Sequence, residues 1–460
     1  MFAASAFPKA IPLLALLAGC FSLPRSLFAE RLVINELMSN NQSCCADRYG
    51  QFDDWIELHN AGGRAVNIGG MFITDDLADP GAFRFPTDDR RATTIPAGGY
   101  LLLWADGDQD QPGFHLNFGL SVNGEQLGLF ASDGATLVDS VTFGPLRPDV
   151  SWARVPDGEA WFLVDEPSPG RKNAAQGKRD HSQAPAFSHE SGRYGHPFTV
   201  TLSHPDPETR IYFSTDGSIP TGKRRYGGIG VRVETTTVLR SVAVAEGLLP
   251  SDVVTRTYFV DDEVSLPIVS LAVDPEHLWS DRLGIYVKGD RRNFTRDWER
   301  PAHIEFFDAA GGLEFSQDVG VQIHGGWSRN QPQKSIAVRA RRGYGGEAIY
   351  YPLFPDKPLS RYKGFVLRNS GNDWTYTLLR DAIMQALVKD RMDIDYQAHR
   401  PAVLFLNGRY WGIHNMRERI SVDYVTDNHG FEPDEIDYLV NNSEVRTGDA
   451  GHYRSFLRFL

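Results

Sequence analysis

From residue 32 onward, apolar and polar positions alternate in short runs broken by turn residues, which is the pattern of strands rather than helices. Residues 32–37, 71–73, 100–104, 126–130 and 137–141 read as strands. Asn60-Ala61-Gly62-Gly63, Pro96-Ala97-Gly98-Gly99 and Asp133-Gly134 read as the turns between them. In 55–59 the alternation puts Ile56 and Leu58 on one face, the expected core side, and Trp55, Glu57 and His59 on the other. Many short strands at near-regular spacing predict a β-sandwich over 31–173. Pro167-Ser168-Pro169-Gly170 and the polar stretch after it break the pattern, and 174–186 reads as a linker. Alternation resumes over 187–260, with strands at 198–202, 210–214 and 241–245 and an Asp216-Gly217 turn, predicting a second sandwich.

The third block, 266–460, differs. Strands at 266–271, 302–307, 319–323 and 364–368 are followed by 378–392, where Leu379, Ile383, Ala386 and Leu387 recur at helical spacing. Residues 402–406 and 410–414 flank Asn407-Gly408 and predict a hairpin with a type I′ turn. Strands, one helix and a hairpin make this block α+β. The chain is thus expected to be multi-domain: two β-sandwiches, then an α+β domain.

A length of 460 residues fits about three domains, and 44 Gly with 27 Pro fits many turns. With 47 basic against 59 acidic residues the net charge is −12, which argues against a nucleic-acid partner. At the N-terminus, Lys9 precedes an apolar run over 10–18, the length of a signal-peptide core and short of the ~20 residues that span a bilayer. Two cleavage readings compete. Leu17-Ala18-Gly19-Cys20 resembles a lipobox and would place a lipid on Cys20; Leu27-Phe28-Ala29 resembles an ordinary signal-peptidase site. The second is preferred, giving a signal peptide over 1–29, because folded sequence starts at Arg31. Either way export is expected, with no transmembrane helix. Besides Cys20, only Cys44 and Cys45 are present, as a vicinal disulfide or two thiols; no zinc pattern surrounds them.

The stretch with chemical content is 323–335. A strand leads into Gly325-Gly326 and Ser328, and Lys334 opens the next strand. Glycines let backbone amides approach phosphate oxygens, and a lysine on an adjacent strand can bring a positive charge to them. The commonplace alternative is a hairpin loop beside a solvated lysine. The pattern is neither a Walker loop nor the glycine-rich loop of ordinary kinases.

Three resemblances add to this. Val33-Ile34-Asn35-Glu36-Leu37, Asp54-Trp55-Ile56-Glu57-Leu58-His59-Asn60 and Ile95-Pro96-Ala97-Gly98-Gly99-Tyr100 resemble the lamin-tail domain, an immunoglobulin-like sandwich. Tyr212-Phe213-Ser214-Thr215-Asp216-Gly217, with Val254-Thr255-Arg256-Thr257-Tyr258-Phe259, resembles the C-terminal domain of chitobiases and β-hexosaminidases, an accessory sandwich without active-site residues. Gly320–Gly326 with Lys334-Ser335, Tyr351-Pro352-Leu353-Phe354-Pro355, Leu367-Arg368-Asn369, Leu379-Arg380-Asp381-Ala382 and Leu404-Phe405-Leu406-Asn407-Gly408-Arg409-Tyr410-Trp411-Gly412 resemble the CotH spore-coat kinase family.

That last resemblance implies an atypical protein-kinase fold using ATP and Mg. Lys334 would bind nucleotide phosphates, Gly325, Gly326 and Ser328 would cover them, and Glu418 would lie near the hinge edge of the site. The helix from Arg380 would be the regulatory helix, although 378–392 offers no Glu as partner to Lys334. Asp423, Asp427, Asp434, Glu435, Asp437 and Asp449 follow Glu418 in no pattern that matches the family's catalytic or metal motifs. Catalytic and metal residues therefore stay unassigned, and the kinase-like domain is expected to be partial and weak or inactive in phosphoryl transfer. A protein substrate at the cell surface, or a surface polymer or glycan, is the expected partner. The alternative is a non-catalytic cell-surface or adhesion protein.

Overall fold

The computed structural model of the chain describes residues 32–48, 51–173, 176–220, 222, 224–290, 292–441 and 443–460. The expected signal peptide over 1–29 and the lipidation candidate Cys20 lie outside the described residues. Within them the protein is mostly β.

In the first unit a six-stranded sheet, ordered Trp161–Val164, Ser151–Arg154, Leu32–Met38, Asp54–Asn60, Tyr100–Ala105 and His115–Leu116, faces a four-stranded sheet. Ile34, Ile56, Leu58, Ile73, Leu103, Leu127 and Leu129 fill the space between them. The strand Asp54–Asn60 departs from simple alternation: Trp55 through Asn60 are all buried. The face carrying Glu57 is covered by the Pro-rich segment after the last strand. Glu57 Oε2 accepts the Gly170 amide at 2.7 Å, Glu36 Oε2 accepts the Ser168 hydroxyl at 2.9 Å, and Asn173 Nδ2 donates to the Arg154 carbonyl at 2.8 Å. Polar side chains on that face are thus satisfied by backbone instead of water. Beyond it, Lys178 pairs with Leu163, so the stretch that reads as a linker is tied to the sheet. Cys44 and Cys45 are joined to each other.

The second unit is a four-stranded sheet, Gly192–Tyr194, Val254–Val260, Thr237–Val244 and Arg210–Ser214, with two short two-stranded ribbons and a small core around Val233, Leu239 and Tyr258.

The third unit is a closed barrel of seven strands: β1 (Ile268–Val273), β2 (Glu299–Phe307), β3 (Leu313–His324), β4 (Ser335–Arg339), β5 (Gly364–Arg368), β6 (His399–Leu406) and β7 (Arg409–Glu418). Their order is β1-β2-β3-β4-β5-β7-β6, and β1 closes the ring by pairing parallel with β6. Leu271, Ile304, Val321, Ile336, Leu367, Leu404 and Met416 fill its interior. The β6–β7 turn is as predicted, with Asn407 at φ 51° and Gly408 at φ 76°, both in the left-handed region a type I′ turn needs.

The α+β expectation for this block needs correcting in proportion. Four short helices are found among the described residues: α1 (Pro275–Trp279), α2 (Arg380–Val388), α3 (Val422–His429) and α4 (Gly451–Phe459). The barrel carries the core. The helix predicted over 378–392 is α2, shorter than its pattern, and its apolar stripe is not the packed face. Leu379, Ile383 and Leu387 are 46%, 50% and 52% exposed, while Ala382 is buried. The helix is held by charge on its other side, as described below.

The second unit and the barrel share a core. The Phe259 ring meets Phe307 and Phe405 of the barrel, each at 5.0 Å between centroids, and Thr257 Oγ1 lies 2.8 Å from Ser270 Oγ.

At the edge of the first sandwich, burial pushes the Asp54 carboxyl up to about 7; the Asn41 amide opposes this and Asp53 adds to it. Burial, and then the neighbouring carboxylate of Asp106, push Asp53 up to about 6. A carboxyl whose folded pKa is raised contributes stability that is full below its unfolded pKa and is lost as pH rises through the folded value. Calorimetry is therefore expected to show the first sandwich losing stability between pH 4 and pH 7–8. Asp54→Asn should flatten this slope and stabilise the sandwich on the order of 2 kcal/mol at the alkaline end.

Candidate functional site

The β3–β4 connection is built by two cations folded back onto it. After β3 the chain turns at Gly325, whose φ is +102° and where an added Cβ would stand 2.5 Å from Ser328 Oγ; only glycine fits. The Arg329 guanidinium donates from Nε to the Gly325 carbonyl and from Nη1 to the Thr295 carbonyl at 2.9 Å, and pairs with Asp297 at 3.0 Å. Lys334 Nζ donates to the carbonyls of Arg329 at 2.7 Å and Gln331 at 2.9 Å and lies over the rings of Phe294 and Tyr286. Its backbone amide donates to the Tyr286 hydroxyl at 2.8 Å. Burial lowers the Lys334 pKa. Lys334 therefore serves the loop's own backbone and does not line the cleft in front of it.

That cleft, of about 510 Å³, lies between Gly325, Gly326, Trp327 and Ser328, the turn after β5 at 370–373, and the first two turns of α2. Its charged walls are Arg368, Arg380, Asp373 and Asp381. Asp373 caps the helix: Oδ2 accepts the Thr377 hydroxyl at 2.5 Å and the Leu379 and Arg380 amides at 3.0 Å each. The Thr377 and Arg380 bonds hold its carboxyl down at about 2. Asp381 is clamped between two strand arginines, 2.5 Å from Arg368 Nε and 3.6 Å from Arg417 Nη1. This clamp fixes α2 to the outside of the barrel and explains why its apolar stripe faces away. Both carboxylates are thus engaged. Positive charge prevails at the foot of the loop: burial first, and then Arg368, Arg329, Arg419 and Arg339, push His324 down to about 4.

Glu418 is elsewhere. It ends β7, opposite Phe365 at the start of β5, whereas Lys334 precedes β4 at the other end of the same strands. Its Oε2 accepts the Ala398 amide at 2.8 Å and stands 3.4 Å from Lys357 Nζ, both side chains being buried. Lys357 also donates to Asn428 Oδ1 at 2.8 Å and lies over Tyr396. The pair ties the 353–359 loop and α3 to the barrel.

Of the residues singled out in the sequence, Gly325, Gly326 and Ser328 share one cleft, Lys334 sits behind their loop, and Glu418 belongs to a separate ion pair. The sequence reading missed Arg368, Asp373 and Lys357 as charged partners. Asn369-Ser370-Gly371-Asn372-Asp373, directly after a strand and before a helix, was the available signal for a capped turn.

Breaking the lysine staple is expected to loosen the loop. Lys334→Met leaves two carbonyls without their charged donor and should cost ~1–3 kcal/mol. Amide hydrogen exchange over 326–333 should accelerate, with the barrel strands unchanged.

Two solved structures have low similarity: the fibronectin(III)-like modules of Clostridium thermocellum CbhA, at 12% identity over 45% of this chain and 85% of that one with a TM-score of 0.16, and Drosophila N-cadherin EC1-4, at 10% identity over 63% and 91% with a TM-score of 0.13. No curated protein matches the chain. Family models do: the Lamin Tail Domain over 29–145, the Chitobiase/beta-hexosaminidase C-terminal domain over 189–255 and the CotH kinase protein over 321–454. In chain order the sequence therefore carries a lamin-tail-like domain, a chitobiase-C-terminal-like domain and a CotH-like region.

Proposed function

We propose that the CotH-like region is a nucleotide-binding, kinase-like module of an exported protein, with the two preceding β domains as accessory binding modules. The observation that supports this best is the cleft in which the Gly325-Gly326-Ser328 loop stands opposite Arg368 and Arg380, both partly exposed although paired with Asp381 and Asp373. A glycine loop lets backbone approach phosphate oxygens, and arginine forks match them in geometry and charge. Beside the cleft, Arg368, Arg329, Arg419 and Arg339 add, after burial, to the depression of the His324 pKa. Lys334 and Arg329 take part by holding the loop in shape, which makes them positioning residues.

The phosphate half of ATP and Mg fits this cleft. The metal half does not: Mg held with nucleotide phosphates needs one or two free carboxylates, and the two at this cleft, Asp373 and Asp381, are engaged by the helix cap and by arginines. The engaged carboxylates equally support the second reading, a non-catalytic cell-surface protein. Export rests on the N-terminal sequence, and among the described residues no helix is long and apolar enough to cross a membrane.

Titration calorimetry of the full chain with ATP, with and without Mg, tests the proposal. Binding is expected without Mg. Arg380→Ala, at a side chain 64% exposed, should weaken it roughly tenfold without unfolding the protein. Absence of binding, or wild-type affinity in Arg380→Ala and Arg368→Ala alike, would contradict it.

A further inference from the structure

A second cleft, of about 870 Å³, lies where the chitobiase-like domain meets the β6–β7 hairpin of the barrel. Its walls come from both units: Arg224 and Arg232 on one side, Arg409 and Tyr410 on the other. Three arginines line it against a single carboxylate, Asp262, which is already taken by the Thr236 hydroxyl. Arg224 is held over the Phe213 ring at 4.3 Å. Among the described residues Arg232 reaches only Glu234, at 3.8 Å and with both side chains mostly exposed, an ion pair too weak to neutralise it. Arg409 pairs with Leu406 through the hairpin ladder, and its side chain has no hydrogen bond or ion pair among the described residues. Tyr410 is 60% exposed and braced edge-on by Phe405, with 5.8 Å between ring centroids.

The walls are fixed relative to each other. Gly217 of the sandwich and Asn407 of the hairpin are in such close approach that a Cβ at 217 would stand 2.3 Å from the Asn407 side chain. A Cβ at Gly408 would stand 3.1 Å from the Val238 amide nitrogen. Asn407 is locked in turn, its side chain bonding both the amide and the carbonyl of Val273 at 2.8 Å. The cleft is a built feature of the junction, with the shared Phe259–Phe307–Phe405 core beneath it.

Unneutralised guanidinium groups beside one exposed ring, with the threonine hydroxyls of Thr215 and Thr235 on the rim, match a particular chemistry. Arginine forks take carboxylate or sulfate groups, a lone tyrosine face takes a sugar ring, and neutral hydroxyls take sugar hydroxyls. A single-stranded nucleic acid would call for successive aromatic platforms, and among the described residues lining the cleft Tyr410 is the one exposed ring. We propose that this cleft binds an anionic glycan, through Arg224, Arg232 and Arg409 with Tyr410 as the stacking surface. The site is separate from the Gly325–Arg380 cleft, and the proposal does not depend on nucleotide binding.

The test is titration calorimetry of the full chain with oligogalacturonate, a sulfated dextran oligomer, a neutral chito-oligomer and an oligothymidylate. Binding is expected to one or both anionic glycans and to weaken as salt is raised; which of the two binds identifies the anionic group. Arg409→Ala and Arg224→Ala should each weaken it roughly tenfold, and Tyr410→Ala by a similar factor. All three side chains are exposed or at the rim, and an unchanged thermal midpoint checks that the variants fold. No binding to either anionic glycan, equal or tighter binding of the neutral oligomer or the oligothymidylate, or wild-type affinity in Arg409→Ala and Arg224→Ala would each overturn the proposal.

Discussion

Closure of the barrel by the parallel pairing of β1 with β6 is the constraint on which the rest of the third unit depends. A closed ring leaves no free edge and fixes every strand's register. Register then decides which side chains meet. Ile336 opposes Leu367, and Leu367 opposes Met416, so these side chains share the interior. The alternate positions, Arg368 and Arg417, fall outside, where they meet Asp381. One carboxylate between two guanidinium groups then sets where α2 lies, and α2 with the glycine loop sets the cleft.

The same register separates Lys334 from Glu418. Two residues that a family resemblance assigns to one nucleotide site lie toward opposite ends of the strands that carry them. Each has found a local role: Lys334 donates hydrogen bonds to loop carbonyls, and Glu418 pairs with Lys357. A buried ammonium needs acceptors, and here backbone carbonyls supply the hydrogen bonds without the charge of a carboxylate, so burial still lowers the Lys334 pKa. The missing helix glutamate, which the sequence makes conspicuous, is thus accounted for: the helix contributes an aspartate, and its partners are arginines on β5 and β7.

Much of the fold was legible. The strands at 32–37, 100–104 and 126–130 and the Asn407-Gly408 turn follow from alternation and turn chemistry, because local pattern and tertiary environment agree there. Legibility failed where burial came from an element distant in sequence. Glu57 reads as solvent-facing until 167–173 folds over it, 113 residues away at the Gly170 contact. The stripe Leu379–Ile383–Leu387 reads as a core face, yet a clamp between Asp381 and two strand arginines outweighs it, and no helical period encodes that. Of the site, Gly325, Gly326 and Ser328 were legible as a loop. Arg368 and Asp373 were not, since their roles arise only when the turn after β5 is brought against α2.

The central claim is one of place: phosphate groups would sit between the Gly325–Ser328 loop and the α2 end of the barrel. Hydrogen-exchange mapping of the full chain with and without ATP tests it most directly. Protection confined to 325–331, 370–373 and 380–385 is the predicted result. Protection around Glu418 and α3 instead, or none anywhere, would contradict it.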